Sequence, residues 1–104
     1  MSSHTDLEIQ TTFQRWVDYV KSVIHVKNDD YVIERDVLLD IYANYKQATE
    51  GDAPTKAPPV WDPKGRIKHN AWANLRGKST RQAMLDYIYV VSEAYADGTK
   101  ALAT

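Results

Sequence analysis

Apolar residues return every three or four positions along most of this chain, and the breaks in that period divide it into four segments. Phe13, Trp16, Val17, Val20 and Ile24 form one stripe, predicting a first helix from residue 5 or 6 to 24. Next, His25 to Ile33 mixes Asn28, Asp29 and Asp30 with β-branched Val26 and Val32, and reads as a connection. Val37, Leu38, Ile41, Tyr42 and Tyr45 predict a second helix over about 34–50, with Gly51 just past its end as the left-handed closing residue.

All four prolines lie between Pro54 and Pro63, so residues 52–62 cannot be regular helix and form a long loop. A loop of this length is either functional or needed to span from one end of a bundle to the other, and the spanning reading is favoured here. Asp62 as N-cap and Pro63 at the first position start a third, shorter helix from 63 or 64 to 75, ended at Gly77. Ser79-Thr80-Arg81-Gln82 has capping-box spacing, with Ser79 capping the Gln82 amide and Gln82 reaching back. From there Ala83, Met84, Tyr87, Ile88, Val91, Ala94 and Tyr95 keep one face through to residue 95 or 96, and the tail from Asp97 reads as frayed. Four helices without strand alternation predict an all-α single domain over 1–104, with 1–4 and 97–104 frayed.

Composition narrows the chemistry. At 104 residues, 43% hydrophobic, with three Trp, seven Tyr and one Phe, the chain can build one core. The absence of cysteine excludes disulfides, thiolate catalysis and cysteine metal sites, and His4, His25 and His69 share no ligand spacing, so neither a metal nor a cofactor is expected. No nucleophile elbow is present either, so no enzymatic reaction is expected. Residues 1–10 are polar, with no apolar signal core or Arg-rich transit pattern, and no run approaches membrane-spanning length. The expectation is a cytoplasmic monomer without stable membrane insertion.

The net charge of −1 excludes a polyanion binder over the whole surface, yet the charge is uneven. No acid occurs from Lys64 to Leu85, while Lys64, Arg66, Lys68, Arg76, Lys78 and Arg81 do. This window is either a solvated basic face or a site for a compact phosphorylated ligand. On the second helix Tyr42, Tyr45 and Lys46 fall at i, i+3 and i+4, so two phenols and an ammonium share a face. A tyrosine stripe of this kind serves core packing, or a ligand carrying both a stackable ring and a phosphate.

Tyr42-Ala43-Asn44-Tyr45-Lys46-Gln47-Ala48-Thr49 is followed in order by Lys64-Gly65-Arg66-Ile67-Lys68-His69-Asn70-Ala71-Trp72, by Leu75-Arg76-Gly77-Lys78-Ser79 and by Ala83-Met84-Leu85-Asp86-Tyr87-Ile88. This order and spacing resemble the acyl-CoA-binding protein family, continuously from about Leu38 to Tyr95. The resemblance implies a four-helix up-down-down-up bundle and a non-enzymatic intracellular carrier of medium- and long-chain acyl-CoA esters. It assigns Tyr42, Lys46 and Lys68 to the 3′-phosphate and its ribose, and Tyr45 and Tyr87 to the adenine and nucleotide. Lys64 matches a further ligand contact, and Lys21 another through alignment of Phe13 to Val20. Ala43 and Asn44 fall within the ligand-lining segment.

On residue type alone, Tyr87 and Trp72 read as core and Gln47 as a surface helix former; Trp72 and Gln47 are therefore left out of the site. Compared with the family, His69 replaces a common tryptophan, and the connection between the first two helices is about six residues longer. Ile33-Glu34-Arg35 replaces the usual start of helix two, and small residues on the inner face of helix one are replaced near Trp16 and Val17. These departures bear on the acyl-chain rim more than on the nucleotide. The alternative reading is a helical protein- or nucleic-acid-interaction module using the basic segment 64–81.

Overall fold

A computed structural model describes residues 5–24 and 35–103. The expected connection at 25–33 and its departures from the family pattern lie outside the described residues, as does the expected helix start at Glu34. Four helices follow in order: α1 (Asp6–Ile24), α2 (Arg35–Glu50), α3 (Pro63–Ala73) and α4 (Thr80–Ala103).

Local chemistry accounts for most of the boundaries. The Glu8 amide donates to Thr5 Oγ1 at 3.1 Å and the Thr5 amide donates to Glu8 Oε1 at 2.8 Å, a reciprocal box that starts α1. Helix α2 closes at Gly51, where φ is +81° and the amide donates to the Gln47 carbonyl at 3.1 Å. Asp62 Oδ1 accepts from the Gly65 amide at 3.0 Å and Pro63 opens α3. A side chain at position 65 would collide with that capping carboxylate, so the glycine of the Lys64-Gly65-Arg66 run belongs to the cap.

Two boundaries and one cap differ from expectation. Helix α3 ends at Ala73, not Leu75, because the Leu75 and Arg76 amides donate three residues back, to Trp72 and Ala73, tightening the last turn before Gly77. Ser79 does cap the Gln82 amide at 3.0 Å, but the Gln82 side chain turns forward, its Nε2 donating to the charged Asp86 Oδ1 at 2.8 Å, a stronger bond than the neutral one its Oε1 would accept from the Ser79 amide. Helix α4 continues past residue 96 to Ala103; Gly98 costs helix stability without ending it among Ala, Lys and Leu neighbours.

The helix directions follow from which residues meet. Along α1 and α4, Asp6 meets Arg81, Phe13 meets Tyr87 and Tyr19 meets Tyr95, so the two run parallel. Along α2 and α3, Tyr42 meets Lys68 and Lys46 meets Trp72, so these are parallel too. Phe13 meets Tyr45 while Val20 and Lys21 share a cavity wall with Leu38, so α1 and α2 are antiparallel. This is the up-down-down-up arrangement. A parallel α2–α3 pair requires a connection as long as a helix, which is what residues 51–62 supply.

The main core joins α1, α2 and α4 through Phe13, Val17, Ile41, Ala48, Ala83, Tyr87, Val91 and Tyr95. At its centre Phe13 packs edge-on against Tyr87 at 4.9 Å between ring centroids, a geometry favoured by the ring quadrupoles. A smaller cluster of Ala43, Ala53 and Trp72 fastens α3 and the long loop to α2. Trp72 Nε1 donates to the Gly51 carbonyl at 2.8 Å, so the indole satisfies its own buried donor and a helix-end acceptor together.

Gln47, read from the sequence as a surface residue, is 1% exposed. Its Nε2 donates to Asp52 Oδ1 at 2.8 Å and to the Lys78 carbonyl at 2.9 Å, and Asp52 Oδ1 also accepts from the Gly77 amide at 2.9 Å. The end of α2 is thereby tied to the turn before α4. The backbone of that turn, distant in sequence, is what draws Gln47 inward.

Candidate functional site

The α2 face carrying Ile41, Tyr42 and Tyr45 does not close completely against α1 and α4. It leaves a depression of about 400 Å³, lined by Val17, Val20, Lys21, Leu38, Ile41, Tyr42, Tyr45, Lys68, Tyr87 and Tyr95. Such a volume suits a small-molecule ligand. A second depression of about 390 Å³ shares Leu38, Tyr42 and Lys68 with the first and adds Arg35, Leu39, Lys64 and Ile67. The two share a rim, so an elongated molecule could occupy both.

Of the nine residues predicted from the sequence, Lys21, Tyr42, Tyr45, Lys68 and Tyr87 line the first depression, and Lys64 lines the second. The hydrocarbon of Val17, Val20, Leu38 and Ile41 lies on the same walls. These apolar liners were legible only as inward helix positions, because periodicity marks a buried face without telling a filled contact from a groove.

Lys46 lines neither depression. Its ammonium sits 4.9 Å from the centre of the Trp72 ring and pairs with the Glu50 carboxylate. One turn earlier on the same seam the Lys68 ammonium sits 5.5 Å from the centre of the Tyr42 ring. Two cation–π rungs thus cross between α2 and α3 in opposite senses, four residues apart on each helix. The Lys46–Glu50 pair was visible as an i, i+4 spacing and was not used in the sequence reading.

Ala43 and Asn44 point elsewhere. Ala43 is 2% exposed within the Trp72 cluster. Asn44 Oδ1 accepts from Lys78 Nζ at 2.8 Å, and its Nδ2 donates to the Asp40 carbonyl at 3.0 Å. Neither lines the two depressions. Tyr87 is 2% exposed, so it serves both as core and as cavity floor.

Electrostatics sort the basic residues. The hydrogen bond that Lys46 donates to Glu50 raises its pKa against a smaller lowering by burial, so the amine is charged at neutral pH. Burial, with Tyr45 nearby, pushes the Tyr87 phenol up, and burial with Tyr19 nearby does the same for Tyr95. Both are neutral hydroxyls at physiological pH. In the acid-free window Lys78 pairs with Asp86 at 2.7 Å, Arg81 pairs with Asp6, and Arg66 Nη1 donates to the Pro58 carbonyl at 2.7 Å. Half of the six cations in that window therefore serve the scaffold, while Lys64 and Lys68 turn to the depressions. Among the described residues no group of three or more His, Cys, Asp or Glu side chains could hold a metal ion.

The chain matches the family model described as Acyl CoA binding protein over residues 10–91. Among curated relatives it is 46% identical to the acyl-CoA-binding protein of Saccharomyces cerevisiae over 61 residues, covering 59% of this chain and 70% of the yeast protein. It is 39% identical to the acyl-CoA-binding domain-containing protein 6 homolog of Dictyostelium discoideum over 92 residues, 85% of this chain and 30% of that one. The match to acyl-CoA-binding domain-containing protein 5 of Bos taurus is 35% over 79 residues, 76% of this chain but 14% of the bovine protein. In both of the longer proteins the chain spans less than a third of the length. Among solved structures, Oryza sativa acyl-CoA-binding protein 2 superposes with a TM-score of 0.76 at 30% identity, covering 89% of this chain and 95% of its own. The ACBP from Moniliophthora perniciosa gives 0.78 at 27%, covering 97% and 95%. With the helix order, the parallel α2–α3 seam and the sequence match all in agreement, this chain belongs to the acyl-CoA-binding protein family.

Proposed function

We propose that this chain is a non-enzymatic carrier that reversibly binds medium- and long-chain fatty acyl-CoA esters and shields them until an acceptor enzyme or membrane takes them. The observation that carries the reading is the pairing, across two depressions that share a rim, of Lys21, Lys64, Lys68 and phenolic rings with the hydrocarbon of Val17, Val20, Leu38 and Ile41. Phosphates require cationic donors, adenine requires a ring face, and an acyl chain requires a dry wall. In this reading Tyr42, Lys46 and Lys68 hold the 3′-phosphate and ribose, with Tyr45 and Tyr87 near the base. Lys46 reaches the phosphate by leaving Glu50.

Magnitudes assign the parts. Sheltering a long saturated chain contributes up to ~0.8 kcal/mol per methylene, against an association cost on the order of 4–15 kcal/mol. Head-group contacts orient the ligand, and the chain supplies most of the affinity. Calorimetry with palmitoyl-CoA, free CoA and palmitate tests this. The ester should bind orders of magnitude more tightly than either fragment, and equal affinity for ester and fatty acid would refute a phosphate anchor. A nucleic-acid role is disfavoured because Arg66, Lys78 and Arg81 are engaged by the protein's own groups. The expected setting is the cytoplasm and the expected state a monomer.

A further inference from the structure

Two large apolar side chains stand far into solvent just before α3: Val60 is 78% and Trp61 81% exposed, the highest values among the large hydrophobic side chains described. Their display is built into the backbone. The Asp62 amide donates to the Pro59 carbonyl at 3.0 Å, closing a four-residue turn with Val60 and Trp61 at its two central positions. The turn is held on both flanks, by Arg66 Nη1 on the Pro58 carbonyl at 2.7 Å and by the Asp62 carboxylate on the Gly65 amide at 3.0 Å. A turn pinned at three points presents its tip in a set direction.

Along its own segment the tip is flanked mainly by cations. From Ala53 to Ala73 the chain carries Lys56, Lys64, Arg66 and Lys68 against a single acid, Asp62, whose carboxylate is occupied in capping α3. Lys56, Lys64 and Lys68 are exposed. Trp61 precedes Lys64 by three residues at the N-terminal end of α3. Lys64 and Lys68 line the outer depression with Leu38, itself 44% exposed. The tip and Lys64 therefore lie toward the N-terminal ends of the parallel α2 and α3, where Arg35 and Leu38 also wall the outer depression.

We infer that the Val60–Trp61 turn is a docking tip that seats in the headgroup layer of an anionic lipid bilayer, turning the mouth of the depression toward the membrane. A tryptophan has an apolar body and one polar N–H, which suits it to the interface, and lysines on a negatively charged leaflet add a screened attraction. A protein interface needs on the order of 1,000 Å² of complementary surface, and a two-residue tip offers far less. Among the described residues no helix is long and apolar enough to cross a membrane, so the contact is peripheral and reversible. The inference goes beyond the carrier role, since docking requires no bound ester.

The test uses the whole chain without ligand, sedimented with phosphatidylserine–phosphatidylcholine vesicles and with phosphatidylcholine vesicles alone. Partition into the anionic vesicles should exceed that into neutral ones and weaken as salt rises. Trp61→Ser should lower it on the order of tenfold while leaving palmitoyl-CoA affinity in solution unchanged. Brominated phosphatidylserine should quench wild-type fluorescence more than that of Trp61→Phe, which locates the ring even if partition is weak. Equal partition of wild type and Trp61→Ser, or no partition at any lipid concentration, overturns the inference. So does a dimer, formed without lipid, that Trp61→Ser abolishes; that outcome would assign the tip to a second copy.

Discussion

The ammonium of Lys68 on α3 stands 5.5 Å from the centre of the Tyr42 ring on α2, and this pair forms the shared rim of the two depressions. A cation held over a ring at a cavity mouth keeps its remaining N–H donors available for an anion. Lys68→Ala should weaken palmitoyl-CoA binding by about 1–3 kcal/mol, the usual range for a hydrogen bond to a charged group. Lys68→Arg should recover part of that loss, and the thermal midpoint should stay near wild type, because Lys68 is exposed. Titration calorimetry beside a melting curve separates the two effects.

In the proposed complex Glu50 would compete with the phosphate for Lys46. The carboxylate side chain is 52% exposed and the pair is an i, i+4 contact with the lysine on the N-terminal side, the less favourable order, so its own contribution is at most ~1 kcal/mol. Glu50→Gln should therefore raise affinity for CoA esters and free CoA alike, by up to about fivefold, with the largest gain at low ionic strength. Lys46→Ala should lower both by at least ~1 kcal/mol. Unchanged affinity in both variants would remove Lys46 from the phosphate site.

Leu38 lines both depressions while remaining 44% exposed, which places hydrocarbon on the joint rim. Leu38→Ala should cost about 1–2 kcal/mol with a long-chain ester and nearly nothing with free CoA. A series of esters of increasing chain length, followed by tryptophan fluorescence, would show the deficit growing with length if the chain lies there. A uniform loss across the series, free CoA included, would move the chain elsewhere.

Asp52 couples stability to acid. Accepting from the Gly77 amide, and secondarily from Gln47, holds its carboxyl below the usual carboxylate pKa. A depressed native pKa means that this stabilisation is complete above the unfolded value near ~3.9 and is lost as pH falls through the native one. Asp52→Asn should lower the thermal midpoint at neutral pH, and the gap from wild type should narrow as pH drops below ~4. A gap of constant size down to pH ~2 would show that the charge has no part in it.

Much was legible along the chain because the relevant interactions are short-range. The Asp62 cap with Pro63, the Gly51 terminus and the apolar faces of α1, α2 and α4 each depend on residues within four or five positions. Periodicity and capping chemistry report interactions of that reach. The ordered motifs from Tyr42 to Ile88 carried the family and thereby the topology, which periodicity does not encode.

The tertiary structure alone decided which polar residues turn inward and which cations remain available. Gln47 reaches the Lys78 carbonyl across 31 positions, Lys78 Nζ reaches Asn44 across 34, and Arg81 reaches Asp6 across 75. In sequence, Lys64, Lys68 and Lys78 are equivalent members of one basic window. In the fold, two face the depressions and the third is absorbed by Asn44 and Asp86. The physical reason is that residue type and helical phase set the side of a helix on which a charge lies. Its partners depend on which helix packs there and in which direction, and that is settled only when the loop of residues 51–62 brings α3 alongside α2 in parallel.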